Sequence, residues 1–308
     1  GDSILSDMRK TVIIILSLIL CFCACAKDDG EDRRESSSEK APALTGNCVR
    51  ICSYNMLFEK TTPVEASQRW VNREKVVTGI MNDYNIDIVG SQEALTWQVN
   101  SILKHGKYGK IGVDIAGKTN ALKNENDAIF YLKSRFEVVK DGQFWYSLTP
   151  DKPNTWAWDA TYSRACTWGL FKEISTGAGF YVFNTHVHHP NDNPVAHMEE
   201  VKMLVRMSEE INSEGLPMFY TGDFNSTPDR SGILYIESNG MSDSRSVATE
   251  VFGRSNTYHG FNTDRNYGWR LDYIFVNSRV KVDVYRCEDS ELMTRKWGSD
   301  HHPVMIDA

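Results

Sequence analysis

The chain has 308 residues, 41% of them hydrophobic, and a formal net charge of −7. That is enough apolar material for a large core, in one big domain or two ordinary ones. The acidic balance and the lack of a long Lys/Arg cluster argue against a protein that grips a polynucleotide through many phosphates, and leave room for an enzyme that meets a phosphate through a metal ion.

The first residues do not belong to that core. Arg9 and Lys10 precede TVIIILSLILCFCACA (11–26), which is short for a membrane span and follows the basic, apolar, small order of an export signal, with Met8 as a candidate start. FCAC (22–25) followed by AKDD resembles a bacterial lipoprotein cleavage box. Cys25 is then the residue expected to be acylated, leaving the protein exported and membrane-anchored, in the periplasm or at the cell surface. The expected organisation is an export signal over 1–26, a Ser- and charge-rich tether over 27–46 and one domain over 47–308. Cys48, Cys52, Cys166 and Cys287 remain for that domain; their spacing fits no zinc pattern, and the sequence assigns no bridge among them.

Within the domain, VRICSYN (49–55) alternates and predicts a strand. Trp70, Val77, Ile80, Met81 and Tyr84 share one helical face, and IDIVGSQE (86–93) reads as a short buried strand. Further strands are predicted at 127–133 and 164–172, then over GFYVFNTH (179–186). Pro194 opens a helix through Met198, Val201, Leu204, Val205 and Ile211, and PMFYTGDFN (217–225) is again a strand. The last two strands fall at 271–276 and 303–307. Two strand–helix–strand units therefore end alike: the step from Asn55 to Glu93 differs by a single residue from that between His186 and Asp223. Polar groups at such strand ends occupy the usual site of open α/β sheets. The mixture predicts two packed sheets with helices outside.

Six segments set unusual polar residues beside apolar strands: SYNML, GSQEAL, FNTHVHH, YTGDFNSTPD, RLDYIF and SDHHPV. A single Asp after Gly is usually a turn residue, and a single His at a strand end is usually structural. Six together call for another explanation. Carboxylates and amides with few nitrogens suit a hard cation such as Mg2+, with Mn2+ as substitute, whereas zinc would favour more nitrogen or sulfur. A hard cation with a histidine base is what phosphate-ester hydrolysis needs.

The ordered set Asn55, Glu93, His186, GDFN (222–225), LDY (271–273) and SDH (299–301) resembles the endonuclease/exonuclease/phosphatase superfamily, the deoxyribonuclease-I-like phosphohydrolases, over residues 49–308. The middle stretch, FWYSLTPDKP (144–153) through WDATYSRACTWGLFK (158–172), looks like its bacterial exported branch. The resemblance implies a four-layer αββα sandwich, two mixed sheets face to face with helices outside. It implies Glu93 as principal metal ligand with Asn55 and Asp300 beside it. Asp223 would orient or deprotonate the attacking water, Asn225 would hold phosphate or metal, and His186 would donate to a phosphate oxygen. Asp272 would support His301. Arg164 either contacts substrate or forms a strand-end salt bridge.

One departure concerns Thr185-His186-Val187-His188-His189, where many relatives carry an acid at the position of His188. This imidazole, and that of His197 further on, are expected at the surface. Of the last two histidines, the resemblance selects His301, directly after the acid, as the catalytic general base. Neighbouring side chains at a strand point to opposite sides, so His302 is left to fill the strand edge.

The leading expectation is a monomeric phosphodiesterase or phosphomonoesterase acting on a phosphate-ester substrate, with long nucleic acid disfavoured by charge. A non-catalytic binding lipoprotein on the same scaffold predicts eroded metal and base positions, and the principal ones are intact. A glycosidase using Glu93 and an Asp leaves the histidines and asparagines unexplained.

Overall fold

The computed structural model describes residues 41, 43–60, 64–118, 121–288 and 297–308; the expected export signal, Cys25 and residues 27–40 and 42 of the expected tether lie outside them. In chain order, β1 (Arg50–Asn55) leads through α1 (Trp70–Asp83) to β2 (Ile88–Gln92). Then come β3 (Ala94–Leu95), α2 (Thr96–Leu103), β4 (Tyr108–Ile111), β5 (Glu125–Asn126) and β6 (Ile129–Leu132). The second half begins with β7 (Phe136–Trp145), β8 (Ala165–Glu173) and β9 (Gly179–His186), and α3 (Pro194–Ile211) carries the chain to β10 (Met218–Asp223). Next are α4 (Ser231–Ser238), β11 (Met241–Asp243), α5 (Ser244–Val247) and β12 (Glu250–Gly253). The chain closes with β13 (Asp272–Asn277), β14 (Val284–Cys287) and β15 (Val304–Asp307). The four cysteines of the domain are free thiols.

One sheet runs β12-β14-β15-β1-β2-β6-β4 and the other β11-β13-β10-β9-β8-β7. Each is mixed, and each has one parallel pair at its centre, β1 with β2 and β9 with β10, flanked on both sides by antiparallel strands. The two central pairs are the strand–helix–strand units legible in the sequence. A parallel pair needs a crossover, and α1 and α3 supply it.

Strand periodicity builds the layers. Along β9, Phe180 and Val182 join the core that contains α1 and the first sheet, while Tyr181 and Phe183 face the core that contains α3 and α4. In β13, Ile274 and Val276 face the first core, and Tyr273 and Phe275 the second. The order helix, sheet, sheet, helix follows, as the resemblance implies.

The inward face of β9 continues from Phe180 and Val182 to Asn184 and His186, so alternation carries the apolar row into a polar one. Asn184 bridges the sheets: its Nδ2 donates to Ser91 O at 2.9 Å, and its Oδ1 accepts from Gln92 Nε2 at 2.7 Å and Thr221 Oγ1 at 3.0 Å. The sheets meet so closely there that a Cβ on Gly90 would fall 2.1 Å from Thr221 Oγ1. At the opposite end, Arg50 of β1 clamps Asp307 of β15 bidentately at 2.6 and 2.8 Å.

Candidate active site

The register of the second sheet lines up three candidate residues. Asp223 ends β10, paired on one side with His186 at the end of β9 and on the other with Asp272 at the start of β13. In the first sheet, Asn55 pairs with Gln92, and the next residue, Glu93, takes a left-handed conformation with φ 65°. A carboxylate residue rarely adopts that conformation, and here it turns the chain out of the strand at the site. Asn225 has φ 50°, and its backbone N–H donates to Asp223 Oδ1 at 2.9 Å, closing a tight turn on the carboxylate.

Asn55 ties the two rows together. Its Nδ2 donates to Glu93 Oε1 at 2.9 Å and to Asp223 Oδ2 at 3.0 Å, and its Oδ1 accepts Leu57 N–H. Asn55 therefore presents its amide nitrogen to the acids. Ligation of a cation by its oxygen would use the remaining lone pair.

His301 Nδ1 lies 2.8 Å from Asp272 Oδ2, and its Nε2 lies 3.8 Å from Asp223 Oδ2. Burial works against the imidazolium, but the Asp272 carboxylate, then Asp223 and Asp300, outweigh it and raise the pKa well above the usual range. Burial, then the Asp272 charge, pushes Asp223 up to about 6, and burial followed by Asp300 raises Glu93. His186 shifts the opposite way. Burial first, then the Arg164 guanidinium and His301, keep it neutral. Arg164 Nη1 sits 3.0 Å from His186 Nδ1, and Asn225 Nδ2 lies 3.1 Å from His186 Nε2 while donating to Val187 O.

Of the two roles the sequence left open for Arg164, the structure shows the salt bridge and places the guanidinium against a site histidine. It pairs with Glu125 at 3.7 Å and reaches into the site through His186. His302 turns away from the acids and stacks on His259 at 4.2 Å, so the adjacent histidines do serve different neighbours. The surface position expected for His188 and His197 is wrong. His188 is fully buried, with Nδ1 against Glu200 Oε1 at 2.5 Å and its backbone N–H on Glu200 Oε2. His197 is buried beneath it, bonded through Nδ1 to His188 O. The acid that receives His188 comes from α3, twelve positions on, where local spacing does not reveal it.

Other residues escaped sequence reasoning. Buried Arg73 on α1 donates to Met56 O, Leu57 O and Gly298 O, pinning the segments that follow Asn55 and precede Asp300. Its one sequence signal is a cation on an otherwise apolar helix face. Thr257 Oγ1 accepts the N–H groups of Leu271 and Asp272 and so sets the start of β13. Asp127 is a buried acid beside Arg164, its pKa raised well above normal by burial despite that cation.

The donor set fits a hard divalent cation. Glu93 is held in place beside Asp300 and Asp223, and the converging carboxylates outnumber the charged partners around them. Asp223, Asp272 and His301 also offer atoms within 4.8 Å of one another. A metal-bound imidazole must be neutral, whereas His301 spends one nitrogen on Asp272 and favours its proton. That trio suits proton handling, and Glu93 with Asp300 suits the cation.

No curated protein sequence matches the chain. Among solved structures, an endonuclease/exonuclease/phosphatase from Bacteroides vulgatus is 31% identical at TM-score 0.78, covering 85% of this chain and 98% of that one. A family protein from Bacteroides thetaiotaomicron is 28% identical at TM-score 0.77, covering 85% and 97%. A mannosyl-6-phosphatase from Bacteroides thetaiotaomicron VPI-5482 is 29% identical at TM-score 0.76, covering 84% and 98%. The model of the Endonuclease/Exonuclease/phosphatase family matches residues 52–301, which run from β1 to His301 and include every candidate residue above, and the chain belongs to that family of phosphoester hydrolases.

Proposed function

We propose that the protein is a divalent-cation-dependent phosphomonoesterase acting on a phosphorylated sugar, exported and anchored to a membrane through Cys25. The observation that carries the catalytic part is the single row His186–Asp223–Asp272, closed by His301 on one side and faced by Asn55 and Glu93 on the other. The likeness to a mannosyl-6-phosphatase along nearly its full length supports a sugar monoester. A purely binding protein would leave unexplained the burial of several acids whose pKa values rise on folding.

In this reading Glu93 and Asp300 hold Mg2+, or Mn2+ in its place, with Asn55 positioning the acids. The ion would neutralise charge on the phosphate oxygens. Asp223, ionised at neutral pH, accepts the proton of the attacking water. His301, kept protonated by Asp272, faces developing charge on the phosphate, and this cationic role replaces the base role expected of it, which passes to Asp223. His186, neutral, faces donors at both ring nitrogens, Arg164 Nη1 at Nδ1 and Asn225 Nδ2 and Arg164 Nη2 at Nε2. Donation from Nε2 to a phosphate oxygen would therefore require the Asn225 amide and the guanidinium to turn from that nitrogen toward the phosphate themselves.

The test is a hydrolysis panel with Mg2+, Mn2+ and chelator: hexose 6-phosphate, glycerol phosphate, a nucleoside 5′-monophosphate, a chromogenic phosphodiester, DNA and RNA. Cation-dependent release of phosphate from the monoesters, with the hexose ester preferred, is expected. Preference for a diester would overturn the substrate assignment.

A further inference from the structure

The segment between β12 and β13 presents an aromatic wall that the hydrolytic chemistry does not use. Tyr258 and Trp269 hydrogen-bond to each other through both backbone directions, N–H to O at 2.9 Å and 3.2 Å. Their rings stack at 6.0 Å and 15°. Tyr258 also bridges to His301 through the backbone, and its ring meets the His301 ring edge-on at 5.0 Å. Tyr267 packs on Trp269 at 5.9 Å. The close pairing needs a glycine: at Gly268, φ 109°, a Cβ would fall 1.7 Å from Tyr258 O.

The wall is open to solvent, with Trp269 52% and Tyr267 40% exposed. Single exposed aromatics need no explanation, but a contiguous set fixed to a site histidine differs from scattered ones. Across the site, Tyr162 is 46% exposed and lies over the Arg164 guanidinium at 5.1 Å. Aromatic faces therefore flank the phosphate-facing groups at His301 and at Arg164. A substrate whose phosphate sits between those groups projects its remaining portion along one of the faces.

We propose that the Tyr258–Trp269 wall is the leaving-group subsite and takes the apolar C–H face of a pyranose ring, leaving the sugar hydroxyls in water. This rests on the sugar-phosphate reading above. Continuity with His301, whose ring the Tyr258 ring meets at 5.0 Å, selects this wall over Tyr162, whose ring is already taken up by the Arg164 guanidinium at 5.1 Å and by His188 at 4.3 Å. Indole and phenol rings supply large, rigid contact area with little entropy to lose. A nucleobase could also stack there, and the experiment separates the two.

The experiment compares wild type, Trp269→Ala and Trp269→Phe on hexose 6-phosphate, glycerol phosphate and a nucleoside 5′-monophosphate. Losing one aromatic packing contact is worth about tenfold. The preference in kcat/KM for the hexose ester over the glycerol ester should therefore fall about tenfold in Trp269→Ala, mainly through KM, and recover in Trp269→Phe. An unchanged preference, or a larger loss for the nucleotide than for the hexose ester, would overturn the proposal. Saturation-transfer NMR with an unphosphorylated methyl hexoside reads the wall without turnover. Contact to the ring protons that disappears in Trp269→Ala supports the subsite even if no phosphate ester is cleaved, an outcome that would sink only the hydrolytic reading. No contact in wild type counts against the subsite itself.

Discussion

Asp272 Oδ2 accepts a hydrogen bond from His301 at 2.8 Å, although the two residues stand 29 positions apart and in different segments. Asp272 is fixed twice over. Its backbone N–H is held by Thr257, and β13 locks it beside Asp223. A buried carboxylate so placed sets the ring orientation of its histidine and stabilises the charged form.

The two adjacent histidines are therefore not equivalent. His301→Ala should lower turnover about a hundredfold or more, the scale for a positioned proton-handling group. His302→Ala, which loses a stack on His259, should cost less than about tenfold in turnover. Steady-state kinetics on both variants decides the matter, and reversed effects would contradict the assignment of His301.

Titration of the acids should couple stability to the cation. Burial and Asp272 raise Asp223 to about 6 from its ordinary 3.8, and Glu93 moves in the same direction. An acid whose pKa rises on folding opposes the fold once ionised. Its stabilising contribution is complete below the unfolded pKa and is lost as pH climbs through the folded value. Without divalent cation the protein should lose stability between about pH 4 and pH 6, less steeply in Asp223→Asn. The rise in Tm on adding Mg2+ should grow over the same window, since the ligand acids bind the ion only when ionised. Thermal melts with Mg2+ or chelator across that range test this; an increment that shrinks with rising pH would contradict it.

Gly90→Ala probes the contact between the sheets. The added methyl would meet Thr221 Oγ1 at 2.1 Å and Asn184 Oδ1 at 2.4 Å, both on the opposite sheet and both part of the polar bridge. Overpacking of this kind costs about 1–3 kcal/mol. A urea midpoint equal to that of wild type would show that the sheets can separate freely there.

Cys25→Ala tests the anchor. Acyl chains supply membrane affinity and a polar tether supplies none, so the variant should leave the detergent phase in phase partitioning or remain unprocessed. Unchanged partitioning would move attention to Cys21 or Cys23.

Much of this arrangement was legible in the sequence where period and function coincide. The strand over 179–186 and the helix opened by Pro194 match β9 and α3 residue for residue, because an alternating apolar run and a helix-starting proline are local signals. β7 was missed. It is an edge strand, exposed or half-buried throughout Glu137–Gln143 with a register shift near Val138, so no clean alternation marks it. Short α2 and α4, eight residues each, offer barely two turns of periodicity. The burial of His188 and His197 was hidden for a different reason. A histidine reads as polar until its partner is known, and Glu200 and Ser226 reach these rings only through the packing of α3 on the second sheet.

The central claim is that Glu93 holds the cation on which hydrolysis depends. Its left-handed backbone and its bond from Asn55 commit the carboxylate to that place, and Glu93→Gln keeps the shape while removing the charge. The direct measurement is phosphate release from hexose 6-phosphate in metal-depleted buffer titrated with Mg2+, wild type beside Glu93→Gln. Wild type should be silent without the ion and saturate with it, and the variant should remain about a thousandfold slower at saturation. Turnover in the variant within about tenfold of wild type, or wild-type turnover indifferent to Mg2+, would contradict the account.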